Sequence, residues 1–438
     1  MAVLFDNLRS VSATQGSGAR LHAFASRLYP ICRSITGAGV RETLRHIGEH
    51  VALDIVEVPS GTPVFDWIVP NEWNIRDAWV ADASGRRVID FRAHNLHVVS
   101  YSTPVRARMS LAELRPHLHS LPAHPDWIPY RTSYYRENWG FCLRHRDLER
   151  LAEGEYEVVI DATLAPGSLT YAEAVIAGAS DDEIIVFSHT CHPSLANDNC
   201  AGMAVATELA RLARLEKPRH TLRFVFAPGT IGSIVWLARN EAHIGRVRHG
   251  LIIGLAGDSG ALTYKRSRRG DALVDRVVPH VMAAAGLTGR VLPFSPYGYD
   301  ERQLCSPGFN LPVGRLTRSA NDMYAEYHSS ADDLTLIEPQ ALAESLYCAA
   351  NTLAILDADR RCENRKPKCE PQLGKRGLYR TVGGTAPGQY EHALLWVLNQ
   401  SDGAHSLFDV AEASGIDFRV VEAAATALEG TDLLTALT

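Results

Sequence analysis

The 438-residue sequence predicts a three-layer α/β/α sandwich with an inserted β-rich domain and a small helical domain near its C-terminus. Three observations support this fold class. After residue 178, continuous apolar segments alternate with helical segments; the stretch from 61 to about 170 is rich in aromatic, β-branched and turn-forming residues; and three short helical segments follow a cationic stretch near residue 370. Apolar strands separated by helices are typical of a sheet that helices cover on both faces.

The first 58 residues predict one or two amphipathic helices followed by a short strand. The helical periodicity is carried by Leu21, Phe24, Ala25 and Leu28, and the strand by the segment LDIVEVPSG. The next segment, GTPVFDWIVPNEWNIRDAWVADASGRRVIDF, predicts an inserted β-rich domain over residues 59–170, because short alternating runs are separated by turn formers. Two later runs, YEVVIDATL and TYAEAVIAG, alternate in the same way.

Beyond Gly178 the sequence predicts the main sheet. Its strands are DDEIIVFSH, TLRFVFAPG and GLIIGLAGD, and its helices include AGMAVATELARLARLEK and PQALAESLYCAANTLAILDAD. We therefore assign residues 1–58 and 171–358 to one α/β domain.

The C-terminal region predicts a linker and a winged-helix-like domain. Residues 359–380 carry a cationic run with few apolar residues, and residues 381–438 contain three short helical segments, the last two joined by a Ser-Gly turn. Arg419 is the only Lys or Arg between 385 and 438, against eight acidic residues. Because phosphate binding needs the opposite balance, we expect no nucleic-acid partner and interpret this domain as a packing or oligomerisation element, compatible with a homo-oligomer.

Composition limits the function classes further. A net charge of -6 and a pI near 6.3 argue against a general binder of nucleic acids or membrane surfaces. The N-terminus lacks a signal-peptide pattern and no run of 18 apolar residues occurs, so we expect a cytoplasmic protein. The eight cysteines form no CxxC pair, which indicates reduced thiols.

Candidate metal ligands lie close to the ends of predicted strands. In SHTCHPSLANDNCAG, His189 ends a buried strand, His192 follows it, and Asp198 precedes a helix; Asp258 follows a later strand, and His328 lies in AEYHSSADD. Each alone has an ordinary structural interpretation, such as an N-cap for Asp198. Their joint occurrence at one edge of an α/β sheet favours a metal site, because imidazole and carboxylate are ligands that Zn²⁺ prefers.

These motifs resemble those of a known superfamily. The series IIVFSH, NDNCAG, RFVFAPGTIGS, YGYDERQLCSPGFNLPV and EYHSSADDL is similar in order to the motifs of the di-zinc aminopeptidases. From about residue 20, the chain resembles still more closely a bacterial family of zinc aminopeptidase-like proteins. That family has an inserted β domain, whose VFDWxVPxEWNIRDA signature corresponds to residues 64–78, and a C-terminal winged-helix-like unit. The resemblance implies a zinc-exopeptidase-like sandwich and one or two zinc ions per chain.

Carried over by position, the resemblance implies that His189 or His192 supplies one imidazole, Asp198 bridges two metals, Asp258 binds one metal and His328 binds the other. The choice between the first two histidines stays open, because the superfamily's usual His-x-Asp is His-Thr-Cys in this chain. His192 is either a ligand or a supporting residue.

One motif departs from the superfamily. Two adjacent glutamates are usual there, one of them the general base, whereas this chain has Gly229 and Thr230. Glu326 and Glu301 are therefore the candidate catalytic acids, since a general base must reach the attacking water. Either could instead bind metal or the substrate's α-amino group, and Glu301 could simply pair with Arg302.

The remaining candidates concern the substrate. Asp300 aligns with an acid of the superfamily, and Tyr299 and Arg318 lie in loops expected to wall the pocket; we list all three as substrate-binding candidates. The expected function is a zinc-dependent aminopeptidase-like hydrolase that cleaves an amide or peptide bond of a small peptide or aminoacyl amide with metal-activated water. The alternatives are an amidohydrolase of a biosynthetic pathway and a metal-free binding or regulatory protein. No membrane partner is expected.

Overall fold

The computed structural model describes residues 16–321, 323–378 and 388–437. The chain divides into a compact unit of residues 7–350 and a second that includes residues 351–438. The larger unit is built on one mixed eight-stranded sheet, ordered β1-β10-β12-β11-β13-β16-β14-β15. Its strands are β1 (Asp54–Pro59), β10 (Ser168–Ile176), β11 (Ser180–His189), β12 (His220–Ala227), β13 (Val247–Ile253), β14 (Leu262–Lys265), β15 (Gly289–Leu292) and β16 (Val313–Thr317).

The centre of this sheet is parallel. Strand β11 pairs in parallel with β12 and β13, and β13 pairs in parallel with β16. Residues 184–187 of β11 are at most 1% exposed, because helices cover both faces of a sandwich of this kind. The carboxyl ends of these four strands therefore meet at one edge, where open α/β sheets place their ligands.

Helices flank the sheet, which gives the predicted three-layer sandwich. In chain order, together with the two short helices of the insert, α3 and α4, they are α1 (Ser17–Leu28), α2 (Ala38–Gly48), α3 (Leu111–Leu114), α4 (His145–Leu148), α5 (Gly202–Ala213), α6 (Ile231–Asn240), α7 (Leu273–Ala284), α8 (Glu301–Leu304) and α9 (Pro339–Ala358). The predicted apolar face of α1 is confirmed, since Leu21, Phe24, Ala25 and Leu28 are all buried. No helix among the described residues is both long and apolar enough to span a bilayer.

The inserted β-rich segment lies between β1 and β10. It contains a four-stranded antiparallel sheet ordered β5-β4-β9-β6, a small hairpin of β2 and β3, and a pair of β7 and β8. The strands are β2 (Pro63–Val64), β3 (Trp67–Ile68), β4 (Glu72–Ala81), β5 (Arg87–Asp90), β6 (Val105–Ser110), β7 (Leu118–His119), β8 (Phe141–Cys142) and β9 (Glu155–Ala165). The run TYAEAVIAG, which alternates like the insert, instead forms β10 of the central sheet, between β1 and β12.

After α9, the described residues of the smaller unit form three α-helices and a three-stranded sheet ordered β18-β17-β19. Its elements are β17 (Arg361–Asn364), α10 (Gln389–Gln400), β18 (Asp402–Ser406), α11 (Leu407–Ser414), α12 (Phe418–Gly430) and β19 (Leu434–Ala436). The predicted linker at 359–380 needs correction, because its first residues form the central strand β17. Arg361 and Glu363 are charged and exposed, so the sequence pattern did not indicate a strand, although Cys362 between them is buried. The predicted boundary at residues 380 and 381 lies outside the described ranges.

Candidate metal centre

Three histidines surround one buried carboxylate at the carboxyl edge of the sheet. Oδ1 of Asp198 lies 2.8 Å from Nε2 of His189 and 3.5 Å from Nδ1 of His192. Oδ2 of the same carboxylate lies 3.1 Å from Nε2 of His328. Candidate ligand atoms of His189, His192 and Asp198 all lie within 4.8 Å of one another. The structure therefore brings together four of the five predicted ligands, with both oxygens of Asp198 facing imidazoles.

The donor atoms of this group fit a zinc ion. Nδ1 of His192 is buried and has no hydrogen-bond partner among the described residues. This potential ligand atom lies near the Asp198 carboxylate and is not engaged in a hydrogen bond that would compete with a metal ion. His192 and His328 both adopt positive φ angles, 65° and 54°. Such backbone conformations are unfavourable for residues other than glycine and cluster at functional sites.

The protonation states also suit metal binding. Burial lowers the pKa of His189 to about 4, so its imidazole is neutral at physiological pH and keeps a lone pair for a ligand bond. Although burial acts in the opposite direction, His192 and His189 hold the pKa of Asp198 well below its usual range. The group thus offers a neutral imidazole at His189 and an ionised carboxylate at Asp198, the forms that metals require.

Two asparagines that flank Asp198 fix the loop that carries it. The side-chain amide of Asn199 donates to the carbonyl of His189 and accepts from the backbone N–H of Leu255. Asn197 accepts from the backbone N–H groups of Gly257 and Asp258. The Asn-Asp-Asn segment is therefore tied to the ends of both β11 and β13. The sequence analysis did not identify Asn197 or Asn199 as functional, although their symmetric placement around Asp198 was the available signal.

Asp332 holds the same segment from the opposite side, and the sequence analysis also missed it. Its carboxylate accepts from the backbone N–H of Asn197 at 2.6 Å and of Asp198 at 3.1 Å. Tyr324 donates its hydroxyl to the same carboxylate at 3.3 Å. Burial raises the pKa of Asp332 to about 8, whereas the hydrogen bonds from its donors oppose that rise. Its position four residues after His328 was the only signal in the sequence.

Asp258 lies outside the group of candidate ligand atoms. Its Oδ1 accepts from the backbone N–H of Gly260 and from the Ser319 hydroxyl, both at 2.7 Å. Its Oδ2 accepts from the Asn197 side chain at 2.8 Å and from the Ser319 backbone at 3.1 Å. Through these four hydrogen bonds the Asp258 carboxylate joins the loops after β13 and β16, and its role as a metal ligand stays a prediction.

The inserted domain contributes a wall of the site. The ring of Tyr130 lies edge-on to both His192 and His328, with centroids 5.1 Å apart in each case. The backbone N–H of Tyr130 donates to the carbonyl of His328 at 2.8 Å, and Ile128 and Ser330 exchange two further hydrogen bonds. No local sequence signal marks Tyr130, because its role depends on how the insert folds against the loop of His328.

Tyr299 fills the space beside Gly229, where the superfamily has a glutamate. A Cβ atom on Gly229 would lie 2.0 Å from Cε1 of Tyr299, so only glycine fits. The Tyr299 hydroxyl lies 3.1 Å from Sγ of Cys191, and the Gly229 N–H donates to the same sulfur at 3.2 Å. Tyr299 thus contacts both positions, Cys191 and Gly229, at which this chain differs from the superfamily motifs. Its ring also packs on His189, with ring centroids 4.1 Å apart.

Glu301 is buried and held by cations. Its Oε1 accepts from Nζ of Lys265 at 2.7 Å and lies 3.7 Å from the Arg315 guanidinium, whereas Oε2 accepts from the Tyr299 backbone N–H at 3.1 Å. Against the effect of burial, Arg315 and Lys265 lower its pKa. The predicted partner Arg302 is not the one observed. Glu301 therefore orients the Tyr299 loop, which argues against a role as general base.

The carboxyl group of Asp300, the residue before Glu301, has a different environment. Asp300 is fully buried, neither carboxylate oxygen has a hydrogen-bond partner among the described residues, and burial raises its pKa to about 7.

The two remaining candidates differ in how their side chains are used. Arg318 is buried and donates to the carbonyl of Gly260 at 2.7 Å and to Glu344 at 2.9 Å, so its guanidinium has structural contacts, and its role in substrate binding stays a prediction. Glu326 is half-buried, and only its backbone carbonyl accepts hydrogen bonds from Ser329 within the described ranges. Its carboxylate, two residues before His328, is thus the less constrained of the two predicted catalytic acids.

Comparisons with known proteins agree with this architecture. The family model described as a domain of unknown function, DUF4910, matches residues 22–359, and a winged helix-turn-helix model matches residues 360–436. A Clostridium acetobutylicum protein, provisionally named a polysaccharide biosynthesis protein with an aminopeptidase-like domain, is 48% identical over 419 residues. The match covers 95% of this chain and 96% of that protein.

Solved structures show the same fold. The crystal structure of a provisionally named peptidase from Clostridium acetobutylicum has a TM-score of 0.90 and 46% identity, and the match covers 97% of this chain and 98% of that one. A zinc aminopeptidase from Bacillus subtilis has a TM-score of 0.59 at 13% identity, over 82% of this chain and 96% of that one. An M28 peptidase precursor from Shewanella amazonensis has a TM-score of 0.56 at 15% identity, over 80% and 95%.

At these lower identities the likeness shows the fold alone, a zinc aminopeptidase-like α/β sandwich followed by a winged-helix domain. The family match over residues 22–359, together with the 48% identical relative, shows that the chain belongs to the DUF4910 family.

Proposed function

We propose that this protein is a zinc-dependent hydrolase that removes an N-terminal residue from a small peptide or aminoacyl amide. The observation that carries the proposal is the Asp198 carboxylate, which faces His189 and His192 with one oxygen and His328 with the other. This is the donor set of a zinc site at the sheet edge where α/β folds bind ligands. The shared fold of zinc aminopeptidases supports the choice of reaction.

In this proposal His189 and His192 hold zinc on one side of Asp198, and His328 provides a second position on the other side. Zinc bound there would polarise the scissile carbonyl and lower the pKa of a water molecule. Asn197, Asn199 and Asp332 keep the Asp198 loop fixed. Glu326 is the candidate that accepts a proton from the attacking water and returns it to the leaving amine, because its carboxylate is free of ion pairs among the described residues.

The insert limits the size of the substrate. Tyr130 packs against His192 and His328, so a protein loop from another part of the chain covers one side of the donor group. A large folded substrate would have to displace this loop, whereas a short peptide or an aminoacyl amide would not. We therefore place the substrate among small molecules with a free α-amino group.

Metal content and hydrolysis together test the proposal. Protein purified without chelators should hold at least one zinc ion per chain, and Asp198→Asn and His328→Ala should lower that content. His243→Ala, which changes an exposed histidine outside the site, should not. Wild type should release the amine from aminoacyl amides but not from their N-acetylated counterparts. Metal-free wild-type protein with no hydrolysis would contradict the proposal.

One observation favours a second candidate. Tyr299 packs against Gly229 so closely that no side chain fits at that position, as expected if the site has lost the glutamate's catalytic role and serves only to bind a ligand. A zinc-loaded protein that binds amino acids but hydrolyses no aminoacyl amide would favour this binding function.

A further inference from the structure

The Tyr299 side chain lies beside the candidate metal centre. Its hydroxyl is 3.4 Å from Nε2 of His192, and its ring packs on His189 in a tilted arrangement with centroids 4.1 Å apart. Tyr299 is partly exposed, as is His328, whereas His189, His192 and Asp198 are buried. A ligand bound to His192 would therefore lie close to this phenol.

The hydroxyl is available as a donor. Its neighbours are Sγ of Cys191 at 3.1 Å and the carbonyl of Gly229 at 3.3 Å. Sulfur is a weak acceptor and the carbonyl contact is long, so neither holds the phenolic proton strongly.

The position of the phenol is fixed by groups that take no part in metal binding. Glu301 accepts from the Tyr299 backbone N–H, and Lys265 binds both the Glu301 carboxylate and the carbonyl of Tyr297 at 2.7 Å. On the other side, Gly229 leaves no side chain between the ring and the strand end. A buried ion pair thus holds the loop, and a glycine provides the space. Pre-positioning of this kind is what an electrostatic catalyst requires.

We propose that Tyr299 donates a hydrogen bond to the carbonyl oxygen of the scissile amide as that oxygen gains negative charge. The inference rests on the proposed hydrolase function. When the water oxygen bonds to the carbonyl carbon, the π electron pair moves onto the carbonyl oxygen, and Tyr299 stabilises that charge while keeping its own proton. When the C=O bond re-forms, the C–N bond breaks and the amine leaves with the proton that the general base took from water.

Tyr299→Phe is the direct test, because it keeps the ring that packs on His189 and removes only the hydroxyl. We expect kcat to fall about 100-fold, as for loss of one oxyanion donor, with KM and zinc content unchanged. Tyr156→Phe is the matched control: it removes a hydroxyl bonded to the carbonyl of Ala152 in the insert and should leave kcat unchanged. A Tyr299→Phe enzyme with wild-type kcat would overturn the inference.

A binding measurement separates this role from a structural one. A phosphonate analogue of the amino acid carries tetrahedral anionic oxygens, and calorimetry should show it binding at least tenfold more weakly to Tyr299→Phe than to wild type. The free amino acid should bind both proteins equally. If both ligands weaken alike, Tyr299 is only structural. If wild type holds no zinc and hydrolyses nothing, the proposed function fails and this inference falls with it.

Discussion

The backbone N–H of Asp198 donates to Oδ2 of Asp332 across 3.1 Å, so the central carboxylate of the candidate metal centre is aimed by a second carboxylate. The neighbouring N–H of Asn197 donates to the other oxygen of Asp332 at 2.6 Å. One side chain thus fixes two successive peptide groups. Supporting residues of this kind set the orientation of metal ligands.

Asp332→Ala should therefore weaken zinc binding without removing a ligand. We expect zinc affinity to fall about 10–100-fold, because the substitution frees the Asp198 loop and leaves two buried N–H groups unpaired. Competition with a fluorescent zinc chelator measures the change. The control is Asp333→Ala, because Asp333 is adjacent and its carboxylate accepts a hydrogen bond from the backbone N–H of Thr335. Equal zinc affinities for the two variants would contradict the assignment.

His189→Ala and His192→Ala should each reduce bound zinc, because both imidazoles face the same oxygen of Asp198. Zinc per chain, measured by elemental analysis after dialysis against metal-free buffer, gives the comparison. If only His189→Ala lost metal, His192 would be a supporting residue.

Asp258→Asn should leave the zinc content unchanged and lower stability. In either orientation the amide NH₂ would face a backbone donor, the Gly260 N–H at the Oδ1 position or the Ser319 N–H at the Oδ2 position, so we expect a loss of about 1–3 kcal/mol in the free energy of unfolding. Urea denaturation and zinc analysis of the same preparation test both parts. Loss of zinc at unchanged stability would return Asp258 to the set of ligands.

Gly229→Ala should destabilise the protein by about 1–3 kcal/mol, because the added methyl group meets the Tyr299 ring. Combining it with Tyr299→Ala should cost less than the sum of the two single changes, since the second removes the clash. Thermal unfolding of the four proteins gives the coupling. Gly245→Ala, which adds a Cβ in open space, is the control. Strict additivity would show that the two residues do not constrain each other.

The pH dependence of stability should report on Asp300. Burial raises the pKa of its carboxyl from 3.8 to about 7, so between roughly pH 4 and 7 the folded protein binds a proton that the unfolded chain releases. Its contribution to stability therefore falls as pH rises through this window and is constant above it. Asp300→Asn should remove that slope, measured by urea unfolding at several pH values, whereas the exposed Asp271→Asn should not. Identical slopes in all three proteins would contradict the assignment.

The sequence predicted the sheet because its central strands are apolar on both faces, a pattern that needs no knowledge of tertiary contacts. It also predicted His189, since a histidine at the end of such a strand must lie at the sheet edge. For Asp258, which also follows a strand, the sequence does not show that Ser319 and Asn197 donate hydrogen bonds to its oxygens, so it could not distinguish a structural role from the predicted metal ligand.

Glu301 shows a related difficulty. An acidic residue in a predicted pocket loop has the right chemistry for a general base, but Lys265 and Arg315 come from strands that only the fold brings close. Tyr130 is the extreme case, because it reaches the site from the insert between β1 and β10.

The hydrogen bond from the Tyr130 N–H to the carbonyl of His328 has a consequence for domain engineering. A designer who trimmed this chain to its sandwich would remove part of the backbone support of a proposed ligand, together with the Ile128–Ser330 pairing beside it. The insert and the sandwich belong to one compact unit, and a graft of either onto a related scaffold would have to carry both sides of that seam.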